Sequence, residues 1–74
     1  MATLPHHPEP ESFHIVFERE EDGRWLAEIP ELPGVMAYGA TKPEAEVAVN
    51  ELALRVLADR VSRSKKPVKS IRFL

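Results

Sequence analysis

The sequence predicts a small α+β domain of order β-β-β-α-β, an antiparallel meander covered by one helix. Three observations predict it. Apolar residues alternate with a period of two between Phe13 and Ile29, Asp22-Gly23 and Pro33-Gly34 punctuate the strands, and a helical period takes over after Thr41. The 74 residues suffice for one domain, read as residues 13–74 behind an extended arm at 1–12.

The arm holds Pro5, Pro8 and Pro10 among polar residues, a composition suited to extended chain. Its His6-His7 pair lacks a third ligand, and neighbouring residues on an extended chain point apart, so no metal site is expected. The first strand follows, with Phe13, Ile15 and Phe17 on one face and His14, Val16 and Glu18 on the other. Glu20-Glu21-Asp22-Gly23 turns the chain through an Asp-Gly hairpin signal. On the second strand, Arg24 to Ile29, Trp25, Ala27 and Ile29 share a face opposite Leu26 and Glu28.

Pro30 ends that strand because it has no N–H for the ladder, and Leu32-Pro33-Gly34 sets the next turn. Val35 to Gly39 is a short third strand. Thr41-Lys42-Pro43-Glu44 has capping-box spacing: the threonine oxygen accepts from the Glu44 N–H while the glutamate reaches back to the Thr41 N–H. The helix is expected to run to about Ser62, since Pro67 forbids continuation. Val68 to Leu74 then supplies a last strand that pairs with the sheet.

Two apolar stripes run along the helix. Ala45, Ala48, Val49, Leu52, Ala53 and Val56 suit the sheet, whereas Val47, Leu54, Ala58 and Val61 cluster on nearly the opposite side. A lone helix on a sheet buries only the first stripe, so the second is read as an oligomer interface. Stability arithmetic agrees. Surface scaling gives roughly 7,500 Å² buried on folding, which at about 60% apolar contributes roughly 110 kcal/mol. Ordering the chain costs about the same, at ~1.5 kcal/mol per residue. With no cysteine to form a disulfide, a homodimer or homotetramer is expected.

The net charge of −2 conceals an asymmetry. Residues 1–54 carry eleven acidic and three basic residues, whereas residues 55–74 carry seven basic residues against Asp59. The basic end complements the helix C-terminus and the acidic front; it also suits nucleic acid. No apolar run is long enough to span a membrane and the N-terminus lacks a signal pattern, so a cytoplasmic protein is expected.

Reactive motifs are missing. There is no cysteine nucleophile, no G-x-S-x-G, no P-loop and no G-x-G-x-x-G, while Ser62-Arg63-Ser64-Lys65 matches S-x-x-K only at a helix end. The carboxylates of Glu18, Glu20, Glu21 and Asp22 sit on one hairpin tip, where solvated turn residues are expected rather than Mg²⁺ ligands converging from several elements. Neither catalysis nor a cofactor is expected.

Taken in order, Ile15-Val16-Phe17-Glu18, then Glu21-Asp22-Gly23-Arg24-Trp25-Leu26-Ala27-Glu28-Ile29-Pro30-Glu31-Leu32-Pro33-Gly34-Val35, then Gly39-Ala40-Thr41-Lys42-Pro43-Glu44-Ala45 resembles the HicB-like antitoxin family. Members of that family read as a hydrophobic strand, an acidic D-G turn, an aromatic-bearing strand ending in P-x-L-P-G, a short strand to G-x-T and a helix opening with x-E-A. The resemblance implies a partial, degraded RNase H-like fold without nuclease activity. It further implies a non-enzymatic antitoxin of a type II toxin-antitoxin system, which binds and neutralises a HicA-type mRNA interferase.

Many relatives add a C-terminal DNA-binding module; the 74 residues hold the antitoxin-like domain alone, so direct DNA binding by that route is not expected. Val35 departs from the pattern, standing where many relatives have cysteine. On the inhibitor reading, Glu21, Asp22, Trp25, Glu28, Glu31 and Leu32 are the candidate partner-binding residues, and Glu18 and Glu20 add charge that suits a basic toxin. Turn geometry alone also accounts for Gly23, Pro30, Pro33 and Gly34. The alternative is a stand-alone HicB-like oligomer that binds nucleic acid through its basic C-terminal segment.

Overall fold

A computed structural model describes residues 11–74, so the His6-His7 pair and most of the expected arm lie outside the described residues. The elements are β1 (Glu11–Phe13), β2 (Val16–Arg19), β3 (Trp25–Glu28), β4 (Met36–Gly39), α1 (Lys42–Ser64) and β5 (Ile71–Phe73). The domain is α+β as predicted. Strands β2, β3 and β4 form the antiparallel meander, with Phe17 opposite Ala27 and Ala27 opposite Ala37.

The first strand departs from expectation. It is broken at His14 and Ile15, and its front piece, β1, begins at Glu11 inside the expected arm. At the break the His14 N–H donates to Glu31 Oε1 at 3.0 Å and not to a strand carbonyl, next to Pro30, which has no N–H for the ladder. The last strand pairs with this front piece and not with the meander. β5 runs parallel to β1, placing Glu11 opposite Ile71 and Phe13 opposite Phe73. Alternation nevertheless survives the break, since Phe13 is buried and Ile15 and Phe17 pack against the core.

Both predicted turns form around glycines with positive φ, Gly23 at 91° and Gly34 at 84°. In the second, Leu32 N–H donates to Ile29 O and Val35 N–H to Leu32 O, each at 3.0 Å. Two successive turns thus wrap around Leu32, which enters the core beside Ile29 and Val35.

Helix α1 begins at its Thr41 cap, whose oxygen accepts from the Glu44 N–H at 3.2 Å. The Glu44 carboxylate reaches back to the Ala40 N–H at 3.1 Å, one residue before the amide that the spacing suggested. The helix outruns Ser62 to Ser64 and ends on Lys65, which adopts a left-handed conformation and donates its N–H to Val61 O at 2.9 Å. That geometry closes the last turn before Pro67.

Ala45, Val49, Ala53 and Leu57 are the buried helix residues. Successive members drift by about 40° around the axis, since four residues overshoot one turn. The buried line therefore leaves the first predicted stripe at its C-terminal end. There it takes in Leu57, which belonged to neither stripe, while Leu52 and Val56 stay partly buried.

Candidate protein-binding face

Helix α1 covers one side of the meander and leaves the other open. At Gly39 on β4 a Cβ would collide with the backbone of Ala45, so the first turn of the helix rests directly on the strand. Phe17, Trp25, Ala27 and Ala37 share this side and pack into the core or against it. Side chains alternate across a sheet, so the remaining positions point away from the helix.

Two cross-strand rows make up the open side. Val16 lies opposite Glu28 and Glu28 opposite Met36; Glu18 lies opposite Leu26 and Leu26 opposite Tyr38. Val16, Met36 and Tyr38 are 52%, 44% and 48% exposed, and Leu26 is half-buried. Three strands thus present a contiguous apolar strip carrying two glutamates. Arg24 caps one end, with its guanidinium carbon 4.4 Å from the Tyr38 ring centroid, a cation–π distance.

The same arginine ties this face to the acidic turn. Arg24 Nε donates to Asp22 Oδ2 at 2.7 Å, and the Arg24 backbone N–H donates to Asp22 Oδ1 at 3.0 Å. These two bonds, the backbone one first, hold the Asp22 carboxyl below its ordinary range. A shallow hollow of about 410 Å³ runs around the turn between Glu18 and Arg24. It shows no metal geometry: among the described residues, no group of three or more histidines and carboxylates is placed to hold an ion.

The predicted partner-binding residues separate. Glu21 and Asp22 are exposed on the turn and Glu28 stands on the open side. Glu31 is engaged elsewhere, its Oε2 2.5 Å from His14 Nδ1. That hydrogen bond, with the one from the His14 backbone, lowers the Glu31 carboxyl. Trp25 belongs to the helix side, where Arg19 and Lys42 stand 5.9 and 5.7 Å from its ring. Leu32, at 2% exposure, has no surface to offer a partner. Val16, Leu26, Met36 and Tyr38, which line the open side, are not among the residues predicted to bind a partner. Their signal was the other half of the same alternation.

The second helical stripe stays largely uncovered. Val47 and Leu54 are 68% and 47% exposed, Ala58 is exposed and Val61 half-buried. Leu54, Ala58 and Val61 join Leu57, Val68 and Ile71 in lining an apolar groove of about 210 Å³, while Val47 stands apart near the helix start. None of the described helices is long and apolar enough to cross a membrane.

Comparison with known proteins yields one relative of note. The chain is 27% identical over 56 residues to a UPF0150 protein of Thermoplasma acidophilum, an alignment spanning 76% of this chain and 80% of that protein. No family model matches the chain, and no solved structure matches it.

Proposed function

We propose that the chain is a HicB-like, non-enzymatic antitoxin module that binds a HicA-type mRNA interferase and blocks access to its active site. The observation that carries this reading is the open side of the meander, an exposed apolar strip bearing carboxylates and adjoining an acidic turn. An RNA-cleaving protein must present cationic side chains to phosphates, and the same cations fit Glu18, Glu28, Glu21 and Asp22. Val16, Leu26, Met36 and Tyr38 supply the apolar contact that turns electrostatic encounter into a lasting complex. The similarity to a UPF0150 protein and the strand-turn-strand-helix pattern of the HicB-like family support the reading. No cofactor enters it, and a partner that cuts mRNA places the pair in the cytoplasm.

The test is co-expression with a small basic interferase encoded beside this chain, followed by co-purification and an RNA-cleavage assay. Recovery of a complex with cleavage suppressed is the expected result; active interferase that leaves this chain unbound rejects the proposal.

A second reading, nucleic-acid binding at the basic end, is favoured by one feature. Arg55, Arg60 and Arg63 pair with Glu51, Glu11 and Asp59, whereas Lys65, Lys66, Lys69 and Arg72 are exposed and enter no ion pair among the described residues. Steeply salt-dependent binding to RNA or duplex DNA would support it.

A further inference from the structure

We propose that two copies of the chain pair through α1, antiparallel, about a two-fold axis at Leu54, each inserting Val47 into the other's apolar groove. The apolar residues on the uncovered helix side are spaced for it. Val47 and Val61 each lie seven residues from Leu54. Seven residues fall about 20° short of two turns, so the three share one side of the helix. An antiparallel pair centred on Leu54 sets each Val47 against the other copy's Val61.

The two ends of that line are both apolar and accessible. Val47 is the most exposed large apolar residue described and edges an open hollow of about 400 Å³ that it lines with Pro43, Glu44, Ala48 and Glu51. Around Val61 the surface is hollow, the groove walled by Leu54, Leu57, Ala58, Val68 and Ile71. Ala58 keeps the seam narrow enough for close approach of a second backbone. Val47 and the groove lie too far apart on one straight helix to meet within a chain, fourteen residues being about 21 Å. A two-fold axis satisfies both at once, which is the self-complementarity of an isologous contact.

Charge selects the antiparallel direction. The front of α1 carries Glu44, Glu46 and Glu51 against Lys42, whereas Arg55, Arg60, Arg63, Lys65 and Lys66 stand against Asp59 at its end. Glu46, Lys65 and Lys66 form no ion pair within the described chain. Antiparallel pairing brings the acidic half over the basic half and opposes the helix dipoles; parallel pairing sets like against like. The open side of each meander is left free, so the pairing does not rest on the interferase proposal and stands or falls separately from it.

The chain has no cysteine, so single introduced thiols report the register directly. Seam positions of helices packed 8–10 Å apart come within disulfide range. Under mild oxidation, Leu54→Cys is expected to give a disulfide-linked dimer of twice the 8.4 kDa chain mass. Val47→Cys alone is expected to remain uncrosslinked, and a mixture of Val47→Cys with Val61→Cys to form the mixed dimer. Leu54→Glu should halve the mass of the unmodified assembly in light scattering with an unchanged circular dichroism spectrum, since Leu54 is not in the core. A monomeric mass for the unsubstituted chain overturns the proposal. So does self-crosslinking of Val47→Cys as efficient as that of the mixture, which marks a parallel pair.

Discussion

Gly39 lies directly beneath Ala45, so close that a Cβ on the glycine would stand 2.8 Å from the Ala45 Cα. This missing atom lets the first turn of α1 sit directly on β4, over the side of the meander that carries Phe17, Trp25, Ala27 and Ala37. The open side has Tyr38 and Leu26 in register.

Gly39→Ala therefore forces the helix off the strand. The obstacle is backbone and cannot rotate away. A loss of about 1–3 kcal/mol is expected, the usual cost of overpacking, seen as a lower urea midpoint with an unchanged slope.

Lys65 ends α1 with φ at 58°, a conformation that costs a side chain bearing a Cβ. Lys65→Gly should therefore raise stability by about 1 kcal/mol, a gain of roughly 4–8 °C in Tm for a domain of this size. Thermal unfolding followed by circular dichroism measures it, and an unchanged or lower Tm would contradict the capping geometry.

The His14–Glu31 contact makes part of the stability sensitive to acid. The Glu31 carboxyl is held below its ordinary value of 4.5. The folded state therefore favours the ionised form, a contribution fully present above pH 4.5 and lost as pH falls through the depressed value. Glu31→Gln should lower the urea midpoint at neutral pH and flatten its decline below 4.5. Identical acid limbs for the two proteins would show that the contact contributes nothing.

Local chemistry made most of this fold legible. Asp22-Gly23, Pro33-Gly34 and the Thr41–Glu44 cap act within four residues of themselves, and each forms, the cap with its glutamate on the Ala40 N–H and not on that of Thr41. What escaped depends on distant partners. At the break His14 bonds Glu31, seventeen residues away, and two turns acting together carry Leu32 inward from a proline-rich stretch that reads as surface. Leu57 escaped because the buried line drifts around the helix instead of following one stripe. For the open side, the alternation separated Leu26 and Glu28 from Trp25 and Ala27, but how closely the helix sits on the second set depends on Gly39 against Ala45.

If the open side of the meander holds an mRNA interferase inactive, as proposed, titrating RNA cleavage by a HicA-type protein encoded beside this chain shows it. Suppression should be complete at about one chain per interferase. A Met36→Asp, Tyr38→Asp double variant alters side chains that are 44% and 48% exposed, and so should fold normally. Loss of two central apolar contacts should raise the amount it needs by about tenfold or more. Cleavage that persists in excess chain, or equal suppression by a folded double variant, would contradict the account.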